Sequence, residues 1–305
     1  MKQRYCYDLI ILGGGPAGMT AAIYAAKANL KTIILEKDIT GGLVNSTWLV
    51  ENYPGFQSIH GMELMKTMRA HVDSLAIDVE EVCEIERLNL KKTEKMIETD
   101  EAVYCASAII LCTGRKPIPL NIEKECDQIH YCSICDGGPY KGKRIVVVGG
   151  GNSGFDESLY LLHLGVGYIF IIEATERYYA AQSSQDALLQ SGKAQGFKST
   201  QIVDVHLRDG KVQSVLLENV NTGDRQQIEV EGIFVFLGQK PNNELFKDVI
   251  SLDNQGYIVA GLDMSTNVPG VYSAGDINQK MYRQITTAIA DGTIAALSVQ
   301  RYIKN

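Results

Sequence analysis

The chain has 305 residues, which is enough for about two domains with buried cores. Hydrophobic residues make up 45% of it and charged residues 21%, so a disordered, collagen-like or disulfide-dense miniprotein is excluded. The net charge of −7 argues against a partner that is a nucleic acid or an anionic membrane.

The first predicted unit is a dinucleotide-binding motif close to the start of the chain. Its parts are a strand, a G-x-G-x-x-G loop with a helix, a second strand and an acid, at residues 7–12, 13–28, 32–35 and Glu36. In the loop, Gly13 permits the tight turn, Gly15 lets the backbone approach a pyrophosphate, and Gly18 lets the helix pack closely. The helix N-terminus supplies free N–H groups and a partial positive charge for phosphates, and Glu36 would accept hydrogen bonds from a ribose. Pro16 and Ala17, which complete the loop, are also expected cofactor contacts.

The next segments are predicted to complete this first domain. Residues 61–74 have helical spacing, and residues 79–104 alternate with charged turns, which predicts a small antiparallel layer. A buried strand at 108–112 leads to Thr113 and Gly114. Residues 115–119 have the composition of a linker.

The same motif then recurs, which predicts a second dinucleotide-type domain. Its strand, glycine loop, helix, second strand and acid lie at residues 144–148, 149–154, 155–164, 168–172 and at Glu173. An antiparallel insert, a closing strand, a second linker and a last helix follow at 202–230, 233–237, 239–243 and 284–302. We therefore expect an α/β fold with two Rossmann-like (three-layer ββα) domains, the second inserted into the first. The predicted bounds are 1–115 with 242–305 for the first domain and 116–241 for the second.

A pair of cysteines precedes the second nucleotide strand. Cys132 and Cys135 have C-x-x-C spacing, which lets two thiols cycle between dithiol and disulfide. Asp136 follows and could move a proton to or from a thiolate. A zinc half-site and two inert thiols are the alternatives, but a zinc site needs two further ligands, and a redox dithiol fits beside nucleotide folds. We predict no metal.

The remaining cysteines and the start of the chain indicate the compartment. Seven cysteines are an odd number, which argues against an extracellular disulfide framework. The other five are most simply small apolar residues: Cys6, Cys83, Cys105, Cys112 and Cys126. Asp8 interrupts the first apolar run and no run approaches the ~18 residues of a membrane span, so we expect a cytoplasmic protein without a signal peptide or membrane contact.

The motifs resemble those of the low-molecular-weight thioredoxin reductases from end to end. The matching segments are 13–18, 41–42, 50–55, 113–114, 131–137, 273–276 and 283–285. The resemblance implies FAD in the first domain, a homodimer and rotation of the inserted domain about its linkers. It also implies that Cys135 faces the flavin, that Cys132 attacks the disulfide of thioredoxin, and that Asp136 assists proton transfer.

The resemblance further implies a set of flavin-binding residues. Asp276 would bond the ribitol, Gln284 and Ile285 would lie near the pyrimidine edge, and Asn52 and Gly42 would lie near the ring system. The remaining expected cofactor contacts, at matching motif positions, are Thr113, Gly114, Gly275 and Arg283.

One departure from the family concerns the electron donor. NADPH-dependent members carry His-Arg-Arg-x-x-x-Arg after the second strand of the second domain, where this chain has Glu173 followed by Ala174 and Thr175, with Tyr179 at the later arginine. NADPH is therefore a poor donor, although Arg177 lies nearby. Glu173 would suit the ribose of NADH. The stretch 173–182 looks more like that of the pyridine-nucleotide-independent reductases, some of which use ferredoxin, so we favour ferredoxin.

Other readings remain open. An acidic donor needs a basic patch, and the candidates are Lys141, Lys143 and Arg144 or Lys280 and Arg283, each of which could equally be solvated surface charge. A small-molecule dithiol oxidase of similar fold would pass electrons to oxygen. A non-catalytic flavin-binding protein would bind FAD without thiol exchange. The C-x-x-C pair with Asp136 favours the reductase over both.

Overall fold

The computed structural model describes residues 2–122 and 126–304. The chain divides into two compact units, one formed by Met1–Lys116 and Lys240–Asn305 and the other by Pro117–Gln239. Each unit contains a wholly or mainly parallel sheet with α-helices, so the α/β class with two Rossmann-like domains is confirmed. Within the described residues, no helix is long and apolar enough to cross a membrane.

The elements are numbered here in chain order. The α-helices are α1 (Pro16–Lys27), α2 (Gly61–Asp73), α3 (Ser133–Asp136), α4 (Asn152–His163), α5 (Gln182–Leu189) and α6 (Ile285–Lys304). The strands of the first half are β1 (Gln3–Leu12), β2 (Thr32–Leu35), β3 (Asp78–Glu80), β4 (Ile85–Asn89), β5 (Lys95–Thr99), β6 (Ala102–Leu111), β7 (Arg115–Pro117) and β8 (Ile129–His130). The remaining strands are β9 (Arg144–Val148), β10 (Tyr168–Ile172), β11 (Ala194–Phe197), β12 (Thr200–Arg208), β13 (Lys211–Asn219), β14 (Arg225–Glu229), β15 (Ile233–Val235), β16 (Gln239–Pro241) and β17 (Val271–Ser273). Short 3₁₀ helices lie at Gly42–Ser46 and Gly138–Tyr140.

The first unit is built on a sheet of order β3-β2-β1-β6-β5-β4, with β17 also paired to β6. The ends of β1 and β2 are continuous apolar runs with no exposed residue, as expected for parallel strands covered on both faces. In the parallel pair of β1 and β6, Leu12 lies opposite Leu111. The loops that follow these strands therefore leave from the same edge of the sheet.

Two expectations for this unit were wrong in part. Residues 79–80 were assigned to an antiparallel layer, but β3 pairs in parallel with β2, and the antiparallel pairs are β4 with β5 and β5 with the start of β6. Cys6 and Cys105 were expected to be small apolar residues, but they lie opposite each other on β1 and β6 and form a disulfide. Both differences depend on which strands pair and in which register, and the local sequence does not show either.

The second unit has a parallel sheet of order β11-β10-β9-β15-β8 and an antiparallel sheet of order β12-β13-β14. One apolar layer joins the parallel sheet to the antiparallel sheet, and another joins it to α4 and α5. The turns between the antiparallel strands lie at Asp209-Gly210 and Thr222-Gly223, where the sequence indicates them. This arrangement leaves the loop after β9 at the C-terminal edge of the parallel sheet.

Candidate active site

The glycine loop between β1 and α1 has the backbone of a dinucleotide site. Gly13 has a φ of +110°, and a Cβ there would collide with the backbone of Cys112. A Cβ on Gly18 would collide with the carbonyl oxygen of Gly13, so the close packing of α1 requires glycine. A Cβ on Gly15 would meet nothing within 4 Å, which leaves the backbone at the start of α1 open to a ligand.

The residues that flank this loop lie at the start of α1 and the end of β2. Pro16 is the first residue of α1, where its missing N–H has no helical partner to lose, and Ala17 is buried behind it. Glu36 accepts a hydrogen bond from the N–H of Gly14 at 2.6 Å and another from the N–H of Asp38 at 3.0 Å. The carboxylate is thus held beside the loop.

Buried polar atoms without a partner cluster near the end of β17. Asp276 Oδ2 accepts a hydrogen bond from Arg115 at 2.9 Å. Among the described residues, however, Asp276 Oδ1, Arg115 Nε, Ser273 Oγ and Asn278 Oδ1 are buried and find no partner. Because buried polar groups are nearly always hydrogen-bonded, this cluster fits a polar ligand such as the ribityl chain of a flavin.

The other sequence-predicted flavin contacts lie in loops of the same unit. The structure brings two of them together, because the side-chain amide of Asn52 donates to Gln284 Oε1 at 3.2 Å. Thr113 Oγ1 donates to the carbonyl oxygen of Asn242 at 2.8 Å and so ties the segment after β6 to the segment after β16. The rest lie at the start of a 3₁₀ helix, in loops with positive φ or at the start of α6: Gly42, Gly114, Gly275 and Ile285.

The basic residues near α6 are engaged within the fold. The guanidinium of Arg283 lies 3.9 Å from the ring centre of Tyr257, and its Nε donates to the carbonyl oxygen of Asp276 at 3.4 Å. Lys280 forms an ion pair with Asp291 in which both side chains are largely buried. Lys280 and Arg283 therefore do not form the solvated basic patch that the sequence allowed.

The second glycine loop repeats the geometry of the first. Gly149 has a φ of +121°, and a Cβ there would collide with the backbone of Phe236. A Cβ on Gly154 would collide with the carbonyl oxygen of Gly149, while one on Gly151 would meet nothing within 4 Å. The backbone at the start of α4 is therefore also open.

The segment after β10 differs from a site for a 2′-phosphate. Glu173 accepts hydrogen bonds from the N–H of Gly150 at 2.7 Å and from the N–H and hydroxyl of Thr175 at 2.9 and 2.8 Å. The guanidinium of Arg177 lies over the ring of Tyr179, 5.0 Å from its centre. A fixed carboxylate thus occupies the end of β10, where a phosphate site would need cations.

The C-x-x-C cysteines form a disulfide at the start of α3. Cys132 caps this short helix, its Cα lies 5.4 Å from that of Cys135, and its Sγ accepts the N–H of Cys135 at 3.1 Å. The same N–H would stabilise negative charge on Cys132 after reduction. Cys135 is exposed and Cys132 is half-buried, so the pair is open to exchange with another thiol.

Two residues beside Asp136 were missed by the sequence reasoning. The carboxylate of Asp136 lies 3.4 Å from Nδ1 of His130, and Nε2 of His130 lies 2.7 Å from the hydroxyl of Tyr140. Burial lowers the pKa of His130, and the nearby Asp136 opposes that shift. The position of His130 two residues before Cys132 was the available signal.

A third missed residue is Glu157 on α4. Burial raises the pKa of this carboxyl, and the hydroxyl of Ser133, which lies between the two cysteines in sequence, partly opposes the shift. The surroundings of the disulfide thus include a carboxyl with a raised pKa.

The chain matches the model of the pyridine nucleotide-disulphide oxidoreductases over residues 7–292. It belongs to that family. It is 36% identical to the thioredoxin reductase of Bacillus subtilis, over 100% of this chain and 97% of that one. It is 39% identical to a Clostridium pasteurianum protein named "34.2 kDa protein in rubredoxin operon", over 99% of both chains. The crystal structure of Lactococcus lactis thioredoxin reductase matches with a TM-score of 0.88 at 33% identity, over 98% of this chain and 99% of that one.

The pyridine nucleotide-disulphide oxidoreductase described here is of the thioredoxin reductase type, and its cofactor is FAD. The open loop at Gly15 and the unpartnered atoms around Asp276 fit that group. The expected enzyme class and cofactor are confirmed.

Proposed function

We propose that this oxidoreductase reduces thioredoxin through the Cys132–Cys135 pair. The observation that carries the proposal is the disulfide itself, formed at the start of α3 between a half-buried Cys132 and an exposed Cys135, with Asp136 following directly. Relatives over the full length of the chain are named thioredoxin reductases, which supports the same substrate here.

The exchange with thioredoxin takes two steps. The thiolate of Cys132 attacks one sulfur of the thioredoxin disulfide, so that a mixed disulfide forms and the other thioredoxin sulfur leaves as a thiolate. The thiolate of Cys135 then attacks Cys132, which closes the Cys132–Cys135 bond and releases the second thioredoxin sulfur. Asp136, beside His130, delivers a proton to a leaving thiolate.

Residues of the first unit would hold the cofactor. Gly13, Gly15 and the start of α1 would receive the pyrophosphate, Glu36 the ribose and Asp276 the ribitol. The flavin, when bound, supplies two-electron reduction of the Cys132–Cys135 disulfide.

We propose a donor other than NADPH. Ala174 and Thr175 stand where two arginines would bind the 2′-phosphate, and each hydrogen bond to a charged group contributes about 1.5–3 kcal/mol. Their loss costs about 3–6 kcal/mol, which corresponds to roughly 10²–10⁴ in affinity. The carboxylate of Glu173 adds repulsion, since its hydrogen bonds fix it at the end of β10.

Reduced ferredoxin is the proposed donor. The relative at 39% identity is named after a rubredoxin operon, which agrees with a protein as donor. Lys141, Lys143 and Arg144 remain as the basic cluster for an acidic partner, and Lys141 and Arg144 are exposed. NADH is the second candidate, because Glu173 has the position of a ribose ligand next to an open Gly151.

An anaerobic titration decides between the donors. The purified flavoprotein is mixed in turn with NADPH, NADH and reduced ferredoxin, and bleaching of the flavin absorbance is followed. We expect rapid bleaching with ferredoxin alone, followed by re-oxidation on addition of thioredoxin. Rapid bleaching by NADH would overturn the proposed donor, and failure of thioredoxin to re-oxidise the flavin would overturn the proposed substrate.

From the family resemblance we also propose a homodimer in the cytoplasm.

A further inference from the structure

A second cysteine pair lies in the first unit, outside the site described above. Cys6 on β1 and Cys105 on β6 are separated by 99 residues in sequence, yet they lie opposite each other in register with their Cα atoms 4.8 Å apart. That distance is within the usual ~4.4–6.8 Å of disulfides. The two strands can therefore hold the sulfurs together without a change of register.

The two cysteines differ in exposure and in charged neighbours. Cys6 is exposed, whereas Cys105 is fully buried at 0%. The Nε of Arg4, which shares a face of β1 with Cys6, donates to the sulfur of Cys105 at 3.2 Å. The same guanidinium pairs with the exposed Glu94 at 2.6 Å. One cysteine of the pair is thus an exposed residue, and the sulfur of the other lies beside a cation.

We propose that Cys6 and Cys105 form a second thiol–disulfide site that hydrogen peroxide oxidises and dithiols reduce. In the cytoplasm, which is the location proposed above and on which this step rests, disulfides are usually of this switching kind rather than permanent. The site does not depend on the identity of the electron donor or on the reduction of thioredoxin.

Reduction begins at Cys6, the exposed residue of the pair. A dithiol attacks Cys6, a mixed disulfide forms, and the bond to Cys105 breaks with the electron pair going to Cys105. The guanidinium of Arg4 stabilises the departing thiolate, and a better leaving thiolate leaves faster. The second thiol of the reductant then closes its own disulfide and frees Cys6, so two electrons and two protons reach the pair.

Oxidation consumes one peroxide. The thiolate of Cys6 attacks one oxygen, the O–O bond breaks, and hydroxide leaves and is protonated to water. Cys105 then attacks the sulfenic sulfur, which forms the disulfide and releases a second water. Two thiols and one hydrogen peroxide thus give one disulfide and two waters.

Thiol labelling on the unaltered holoprotein tests the proposal. The folded protein is treated with dithiothreitol or with hydrogen peroxide, quenched in acid, unfolded and labelled, and its peptides are analysed by mass spectrometry. We expect labels on Cys6 and Cys105 after dithiothreitol, and a linked peptide without labels after peroxide. The buried thiols of Cys83 and Cys112 serve as internal controls that stay labelled throughout.

Two results would overturn the proposal. A pair that dithiothreitol opens only after unfolding is a fixed structural bond, and peroxide that leaves both residues labelled shows an inert dithiol. The same labelling on a variant with Cys132→Ser and Cys135→Ser excludes transfer from the other pair, and loss of cycling there also contradicts the proposal.

A matched pair of substitutions tests the role of Arg4. Arg4→Gln removes the cation beside Cys105 and should slow reduction by dithiothreitol about fivefold to tenfold. Glu94→Gln breaks the same ion pair but keeps the guanidinium, so it should not slow reduction. Equal rates in the wild type and Arg4→Gln would overturn the role of Arg4 in releasing Cys105.

Discussion

The two glycine loops have nearly the same backbone but different surroundings. Gly13 and Gly149 have φ values of +110° and +121°, and Glu36 and Glu173 both accept an N–H from their own loop. The first unit also has four buried polar atoms without a partner near Asp276, whereas the second unit has one among the described residues, Ser133 Oγ between the two cysteines.

The difference teaches that glycines alone do not identify a ligand site. At the third glycine of each motif, a Cβ would collide with the first glycine, so packing of helix on strand requires glycine whether or not a nucleotide binds. Unpartnered buried atoms have no such packing reason. They indicate a ligand for the first unit, while the second unit contributes the Cys132–Cys135 pair.

The largest effect is expected from replacing a cysteine of the disulfide in the second unit. Cys135→Ser should lower the turnover of thioredoxin by more than ~10³-fold, because no second sulfur can close the disulfide. Flavin content and its reduction by the donor should be unchanged. Cys126→Ser is the matched control in the same unit, since Cys126 is not disulfide-bonded. Full turnover by the Cys135 variant would contradict the assignment.

A matched pair of glycine substitutions tests the comparison of the loops directly. A Cβ on Gly15 or on Gly151 meets nothing within 4 Å, so both alanine variants should fold. In Gly15→Ala the methyl group enters the space for the pyrophosphate, and we expect FAD affinity to fall about 10²-fold, or ~2.7 kcal/mol. Gly151→Ala should leave turnover with ferredoxin unchanged. A raised KM for NADH in that variant would show that the second loop binds nucleotide.

These features differ in how far the sequence predicts them. The loops at 13–18 and 149–154 and the spacing of Cys132 and Cys135 are local patterns, and local geometry explains them. The short, polar α5 and the glycine-containing β11 have no clear periodicity, so packing rather than pattern determines them.

Contacts between distant residues lie beyond local patterns. The disulfide of Cys6 and Cys105 depends on the register of strands 99 residues apart in sequence. The contact of His130 with Asp136 depends on the pairing of β8 with β15, and the unpartnered Asp276 Oδ1 depends on burial. The position of His130 two residues before Cys132 marks it as a candidate, but no local pattern gives the strand register or the burial on which these contacts depend.

A smaller effect is expected from the surroundings of the disulfide. His130→Gln removes the ring between Asp136 and Tyr140 and should lower kcat for thioredoxin about threefold to tenfold. Because burial lowers the pKa of His130, its ring is neutral at pH 7, and the difference should shrink at acidic pH as the wild-type ring becomes protonated. The exposed His163, replaced by Gln, is the control. A pH-independent loss would show a purely structural role.

The smallest expected effect concerns one pair of equivalent positions in α1 and α4, the helices that follow the two glycine loops. The sixth residue of α1 is the fully buried Ala21, whereas the sixth residue of α4 is Glu157, whose pKa burial raises. A carboxyl with a raised pKa in the folded state contributes stability below its unfolded pKa of about 4.3 and loses it as pH rises through the folded value.

Glu157→Gln should therefore raise the free energy of unfolding at pH 7 by less than about 1 kcal/mol and change it little at pH 4. Urea unfolding of the holoprotein at the two pH values measures this difference. The exposed Glu176→Gln, in the loop after β10, should show no pH-dependent change. If the Glu157→Gln protein is instead less stable at pH 7, the charged carboxylate stabilises the region around Ser133. The sixth position of α4 would then differ in its role from the sixth position of α1, although the two backbones are alike.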